Sequence, residues 1–428
     1  MRDSIDAMPK GYFPLDVNTI VDFISSKKNI SDLFEDIKNL NVIEVGDGNL
    51  NLVFFVNSKE KSICIKQPLP YLRVLKDWPL TLKRSYFESE YIRIQSDHVS
   101  NLMPQLLDYD KIFCTIVIVM GKLSPHIIMR QGMIKGIKYI NFSDHISEFL
   151  SKTLFFTSDL YLKAAKKKMH IQKFSENVEL CKITEDLIFT DPYIVDKKNK
   201  WNSPYLDKFK KEIENNFDLK IEISKLKYKF LSRNESLLHG DLHTGSIMCT
   251  ETDTKVIDPE FAFYGPMGFD LGALFANLAM NYLSQDGHEK SKGDRLDYKE
   301  WILQTIDETW NKFESKFIDL WKNNQNGDAY TINFFENDEE KFLIEQKKYL
   351  SNIFNDSVGF AGAKIIRRIF GFAHNIDFDW IEEDRKRAVC ELKSAKLGIE
   401  MILNSESFIN IKVLTSRLKI FDKHEIDL

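Results

Sequence analysis

Cysteine is scarce and unpatterned in this chain: five residues, Cys64, Cys114, Cys181, Cys249 and Cys390, widely scattered and without a C-x-x-C pair. That spacing excludes a disulfide framework and a zinc ribbon, and it fits a reducing cytosol. An apolar run of membrane length is also missing. The longest near any candidate span, Ile116 to Met120, falls far short of the roughly 20 residues a crossing helix needs. The opening MRDSIDAMPKGYFPLDV is charged early and has no apolar h-region, so no secretory signal is expected. A formal net charge of -5 supplies no large positive field, which argues against a nucleic-acid backbone as the main partner. There is no internal repeat and no low-complexity linker. The expectation is a soluble cytoplasmic protein with no membrane partner. Its 428 residues suffice for two or three domains or one bilobal unit.

Periodicity divides the chain. Residues 16–40 read as helical, with Val21, Ile24, Ile30, Leu33, Ile37 and Leu40 on the apolar positions. Then NVIEVGDGNLNLVFFVN reads as strand, Gly-rich turn, strand, and KSICIKQP as a short apolar strand. A helix over 81–96 and a buried strand FCTIVIVM follow. Beyond about residue 123 helical periodicity prevails, over 143–170, 206–230, 268–285, 296–321, 338–355 and 384–404. One hairpin, SIMCTETDTKVID, interrupts it. The expected class is therefore α+β, with a β-rich N-terminal lobe (1–120) and a larger helical C-terminal lobe (121–428).

The strongest chemical signal is Leu238-His239-Gly240-Asp241-Leu242-His243-Thr244-Gly245-Ser246, followed after that hairpin by Val256-Ile257-Asp258-Pro259-Glu260. A lone H-G-D is a common turn, because Gly accepts any φ and Asp bonds nearby backbone. Paired with I-D-P-E at hairpin distance it fits phosphoryl transfer from ATP. That reaction needs one carboxylate to take the acceptor hydroxyl's proton and others to hold Mg²⁺ against the phosphates. The kinase catalytic loop carries an Asn five residues after its Asp; here Ser246 stands there, a weaker metal ligand.

A second signal is Val45-Gly46-Asp47-Gly48-Asn49, a turn whose backbone N–H groups can approach phosphates, although it is not a Walker A loop. Lys66 on the next strand can reach the α- and β-phosphates, and Glu88 or, less favoured, Glu90 is its expected helix partner. Arg367 and Arg368, about 100° apart on a helix, can place one guanidinium at a transferring phosphoryl group while the other pairs elsewhere. Trp78 sits in an expected loop, as a lid over a substrate or as a hydrophobic plug.

These stretches resemble the 5-methylthioribose kinase family, related to aminoglycoside and choline kinases. The resemblance rests on E-V-G-D-G-N-L-N-L-V-F at 44–54, K-Q-P-L-P-Y at 66–71 and D-W-P-L-T-L-K-R at 77–84. H-G-D-L-H-T-G-S-I at 239–247, I-D-P-E-F-A-F-Y-G-P-M-G-F-D-L-G at 257–272 and K-I-I-R-R at 364–368 complete it, in the family's order over nearly the whole chain. The T-G-S ending discriminates most, since aminoglycoside kinases usually show H-G-D-x-x-x-x-N there. The resemblance implies a bilobal, protein-kinase-like (aminoglycoside-phosphotransferase-like) fold. It also implies transfer of the ATP γ-phosphate to the anomeric 1-hydroxyl of 5-methylthioribose in methionine salvage, with Mg²⁺, by a cytoplasmic homodimer.

By position, Asp241 matches the family's substrate-binding base, and Asp258 and Glu260 its metal carboxylates. Asn49, Lys66, Asp258, Pro259 and Glu260 match its ATP contacts, Arg367 and Arg368 its substrate arginines, and Trp78 its tryptophan loop. The adenine hinge falls at Met120-Gly121-Lys122, where many members look acidic at the last two positions. Residue chemistry alone reaches only a kinase of a small hydroxyl substrate. Choline, an aminoglycoside or homoserine is the competing acceptor, and a catalytically silent ATP-binding protein the competing class.

Overall fold

The computed structural model describes residues 8–45, 50–73, 75–119, 126–324, 326–335 and 338–426. The chain divides into two compact units. The first holds the residues up to His126 with Asn177–Leu180 and Lys255–Ala262; the second holds Ile127–Glu176, Cys181–Thr254 and the remainder from Phe263.

The first unit is built on a sheet. Strands β1 (Asn41–Glu44), β2 (Asn51–Asn57), β3 (Ser62–Pro68), β6 (Gln105–Asp110) and β7 (Thr115–Val119) lie in the order β1-β2-β3-β7-β6, every neighbour antiparallel. Between β3 and β6 in the chain come a short ribbon, β4 (Tyr71–Leu72) with β5 (Leu75–Pro79), and the helix Arg84–Val99. The period of two decides what each face carries. Leu52, Phe54 and Val56 of β2 and Ile63 and Ile65 of β3 join Leu15, Ile20, Phe23, Ile24 and Ile30 in one apolar core. Alternate residues therefore point to the opposite face. Lys66, paired across the sheet with Val53 and Ile116, is one of them.

The second unit is mostly helical. Short strands β8 (Ile127–Ile128) and β10 (Ile247–Cys249) pair antiparallel, as do β9 (Ser236–Leu238) and the strand Phe263–Gly265. The β9 strand leads directly into His239-Gly240-Asp241. The helix Gly268–Ser284 is buried along its whole length and packs on the helix Glu339–Phe370. Gly268 and Gly272 permit the approach: a Cβ at Gly272 would fall 2.6 Å from the Ser357 carbonyl oxygen.

Several expected helices are shorter than periodicity predicts. Residues 16–40 form Thr19–Ser25, Lys28–Ser31 and a 3₁₀ turn Ile37–Asn39, because the backbone extends at Lys27 and at Asp36. The stretch 143–170 gives Phe142–Phe156 and Ala164–Phe174, broken where the Ser158 hydroxyl donates to the Phe155 carbonyl and accepts from the Leu160 N–H. Within 206–230, Asn216 is extended and caps a new helix by accepting from the Leu219 N–H at 2.9 Å. Conversely, 338–355 is the first half of a 32-residue helix that runs to Phe370 and stops at Gly371. Trp78 also departs from expectation. It lies on strand β5, half-buried, because residues on either side of the Arg73 turn pair as a ribbon.

Candidate active site

Two groups of polar side chains stand out, one in each unit. In the first, the parity of β3 sends Lys66 toward the helix Arg84–Val99, where its Nζ lies 2.6 Å from Glu88. Glu88 is thus the helix partner; Glu90 forms an ion pair with Arg93 at 2.6 Å. Lys66 also bonds Asp258. Asp258 adopts φ +68°, a left-handed conformation that aspartate tolerates better than most residues, and 44% of its side chain is open to solvent.

Glu260, two residues on, is buried and accepts from Asn51 at 3.1 Å, with Arg84 Nε at 3.3 Å. Arg84 is wholly buried and also donates to the carbonyls of Thr81 (2.7 Å) and Leu50. The amide of Asn177 donates to the carbonyls of Glu260 and Ala262, at 3.0 and 2.9 Å, and fixes the turn that includes buried Pro259.

Oxygens of Glu88, Asp258 and Glu260 all lie within 4.8 Å of one another. Burial raises the Glu88 and Glu260 carboxyls above the usual range, against the opposing pull of Lys66. Burial would also strip Lys66 of its charge, but Asp258, Glu88 and Glu260 outweigh it and raise its pKa. Three carboxyl groups at this site face two cations, Lys66 and Arg84. All its donors are hard oxygens, the set that suits Mg²⁺.

In the second unit, Gly240 takes φ +84°, a conformation that favours glycine. The N–H groups of His239 and Gly240 donate to the buried Asp270 carboxylate at 2.7 and 3.0 Å. Asp270 stands in the first turn of Gly268–Ser284, where the helix dipole also favours its charge. The loop so fixed presents Asp241. Its Oδ1 accepts from Lys364 Nζ at 3.0 Å, and its Oδ2 lies 3.3 Å from His243 Nε2. Burial alone would raise the Asp241 carboxyl, but Lys364, His243 and Arg368 together hold it well below the usual carboxylate range.

Lys364, Arg367 and Arg368 share one stretch of the long helix. Lys364 is buried with its ammonium 4.6 Å over the Phe269 ring. Arg368 donates to the His374 carbonyl at 3.3 Å, whereas Nε and Nη1 of Arg367 are buried and have no hydrogen-bond partner among the described residues. Arg130 adds a fourth cation. It donates to Thr244 (3.0 Å) and Asn277 (2.6 Å), and lies 3.6 Å from Asp377. Burial lowers the pKa of all four cations, and Arg367 and Arg368 press on each other. These four cations outnumber the nearby Asp241, Asp270 and Asp377, so the cluster suits an anion such as a phosphoryl group.

The structure therefore brings Lys66, Asp258 and Glu260 together in one unit, and Asp241, Arg367 and Arg368 together in the other. Asn49, Met120, Gly121 and Lys122 lie outside the described residues. Sequence reasoning assigned no role to Lys364, His243, Asp270 or Arg130. Lys364 was findable, being three and four residues before the arginines and so on their helix face. Arg130, more than a hundred residues from its partner Thr244, left no signal.

An α+β chain with a glycine-turned aspartate loop and an acidic set around a strand lysine belongs with the phosphotransferases. Residues 158–301 match the sequence profile described as the phosphotransferase enzyme family. Methylthioribose kinase 1 of Oryza sativa subsp. japonica is 41% identical over 418 residues, 97% of each chain. Methylthioribose kinase of Escherichia coli O45:K1 is 39% identical over 421 residues, 97% of this chain and 99% of its own. The chain belongs to the methylthioribose kinase family. Among solved structures, an ethanolamine kinase of Plasmodium vivax aligns over 88% of this chain and 86% of its own, at 13% identity and a TM-score of 0.44.

Proposed function

We propose that this chain transfers the γ-phosphate of ATP to the 1-hydroxyl of 5-methylthioribose, giving 5-methylthioribose 1-phosphate for methionine salvage. One observation carries the reading. A chain 41% identical to a methylthioribose kinase holds Asp241 ionised, with both carboxylate oxygens engaged by neighbours. A base must be ionised to accept a proton and fixed to aim the oxygen it activates.

In this reading Asp241 accepts the proton of the sugar 1-hydroxyl. Arg367, whose buried Nε and Nη1 have hydrogen-bonding capacity to spare, meets the phosphoryl oxygens, and Arg368 supports it. Trp78 contributes an apolar wall for the sugar. Lys66, Asn49, Pro259 and the backbone at Met120, Gly121 and Lys122 bind the nucleotide. Asp258 and Glu260, with Glu88 beside them, would hold Mg²⁺. Bound there, the ion would offset charge on the phosphates. Five unpatterned cysteines support a cytoplasmic setting, and family likeness supports a homodimer. Among the described residues no helix is long and apolar enough to cross a membrane.

The test is ADP release with ATP and Mg²⁺ over a panel of methylthioribose, choline, an aminoglycoside and homoserine. Methylthioribose is expected to be the preferred acceptor. Turnover of choline with none of methylthioribose overturns the reading.

A further inference from the structure

Thr244-Gly245-Ser246 ends the loop where a kinase would carry its asparagine, and the roles above leave Gly245 and Ser246 unused. In the structure both turn toward a ring. The Gly245 N–H donates to His243 Nδ1 at 3.0 Å, and the Ser246 hydroxyl lies 3.2 Å from the same nitrogen. A backbone N–H can only donate, so Nδ1 keeps its lone pair and a neutral ring carries its proton on Nε2. That nitrogen is the one 3.3 Å from Asp241 Oδ2. The Ser246 hydroxyl gives its one proton to the Asp241 backbone carbonyl at 3.1 Å, so the serine fixes the aspartate's backbone while the Gly245 N–H takes the Nδ1 lone pair. A Cβ at 245 would fall 2.9 Å from His243 Cε1, so any other residue there would displace the ring.

We propose that His243 is a positioning residue for Asp241: a neutral imidazole, locked by the Gly245 N–H as the Nε2–H tautomer, that holds Oδ2 while Lys364 holds Oδ1. The proposal rests on reading Asp241 as the base. Its physical content is orientation. Asp241 faces Lys364, Arg367 and Arg368 on the long helix, Arg130 on Met129–Ile134 and His243 on its own loop, with Asp270 and Asp377 answering those cations. Among so many cations a carboxylate held at one oxygen could still rotate about χ2. A donor on each oxygen fixes its plane and leaves lone pairs for the acceptor hydroxyl. A protonated ring would set an Nδ1–H against the Gly245 N–H. Burial opposes that state too, pushing His243 down to about 3 despite the pull of Asp241.

The experiment has two arms. In the first, full-length protein labelled with ¹⁵N-histidine is followed by NMR between pH 5 and 8, with His243→Gln assigning the resonance. The expected ring stays neutral with its proton on Nε2. A ring that protonates near its ordinary value, or carries its proton on Nδ1, overturns the lock whatever the substrate. In the second arm, His243→Leu is expected to lower kcat roughly ten- to hundredfold, the loss of one hydrogen bond to a charged group. KM for ATP and sugar should stay nearly constant, and the acid limb of the kcat profile should move up. His243→Gln, which restores an N–H at similar reach, should recover most of the rate. Equal rates and profiles for His243→Leu and wild type, or a glutamine variant no better than leucine, refute the positioning role. If the leucine variant does not fold, His243→Asn takes its place: its amide is too short to reach Oδ2, so a fall in kcat like that of leucine is expected and no change refutes. Absence of methylthioribose turnover in the wild type sinks the functional reading instead, while the first arm still decides the lock.

Discussion

Lys364→Met removes one charge from beside Asp241 while keeping an unbranched side chain of similar length in the same pocket. The ammonium lies 3.0 Å from Oδ1 and is buried; 24% of the Asp241 side chain remains open to solvent. At an effective dielectric of about 20, unit charges at that separation attract by roughly 5 kcal/mol. Arg367, Arg368 and His243 remain, and partial exposure screens the field, so only part of that appears as a shift. An opposite charge at such range typically moves a carboxyl by about 1–3 pH units. The sign is fixed: losing a cation makes deprotonation harder, so the Asp241 pKa rises. The acid limb of kcat/KM should therefore move up by about 1–3 units, while the rate at pH 8 falls less than the rate at pH 6.

Stability obeys the same linkage. A carboxyl held below its unfolded value stabilises the fold above that value and loses the contribution as pH falls through the folded one. With Asp241 less depressed, the variant should lose less stability than the wild type as pH falls into the acid range, while at neutral pH the lost attraction is set against the burial cost that Lys364 no longer carries. Coupled ADP release between pH 5 and 9, with thermal melts on the same samples, measures both. A variant whose rate falls by one constant factor at every pH would refute the electrostatic reasoning.

Asp241→Asn should lower kcat by about two to four orders of magnitude, the range for a general base, while calorimetry finds ATP bound as in the wild type. Glu88→Gln removes the Lys66 contact at 2.6 Å and one carboxyl from the acidic set. Titration of activity with Mg²⁺ should show the requirement raised about tenfold or more. Gly272→Ala should destabilise by about 1–3 kcal/mol in urea unfolding, because its Cβ meets the Ser357 carbonyl at 2.6 Å and the Phe360 Cβ at 2.9 Å. An unchanged midpoint would mean that the two helices separate freely there.

How much of this was legible depended on whether the controlling interaction was local. Lys66 was read as the lysine ending an apolar strand, and an acid on the following helix was expected as its partner on chemical grounds; Glu88 takes that place, whereas the face Lys66 occupies appears only once β3 is paired. The breaks at Ser158 and Asn216 are local too, yet each turns on one side chain bonding backbone, which apolar periodicity does not register. Trp78 was assigned to a loop because a two-residue strand such as Tyr71–Leu72 is too short to show a period. The cage around Asp241 was half legible. Its arginines were singled out, but Lys364 on their face was passed over, and Arg130 and Asp270 become visible only when distant elements pack.

A formal net charge of -5 would suggest a bland surface, but the chemistry resides in local segregation of sign. Glu88, Asp258 and Glu260 exceed the cations beside them, while Lys364, Arg367, Arg368 and Arg130 exceed the acids beside them. The first imbalance asks for a hard cation, and the second for an anion spread over several oxygens. A neutral acceptor adds no charge of its own to either set, so one ionised carboxylate is the only acid it needs for proton removal. A cationic acceptor such as choline or an aminoglycoside would gain little from the arginine-rich set, where like charge repels it. On the proposed assignment, the same arginines that would meet a transferring phosphoryl group would also favour an uncharged sugar.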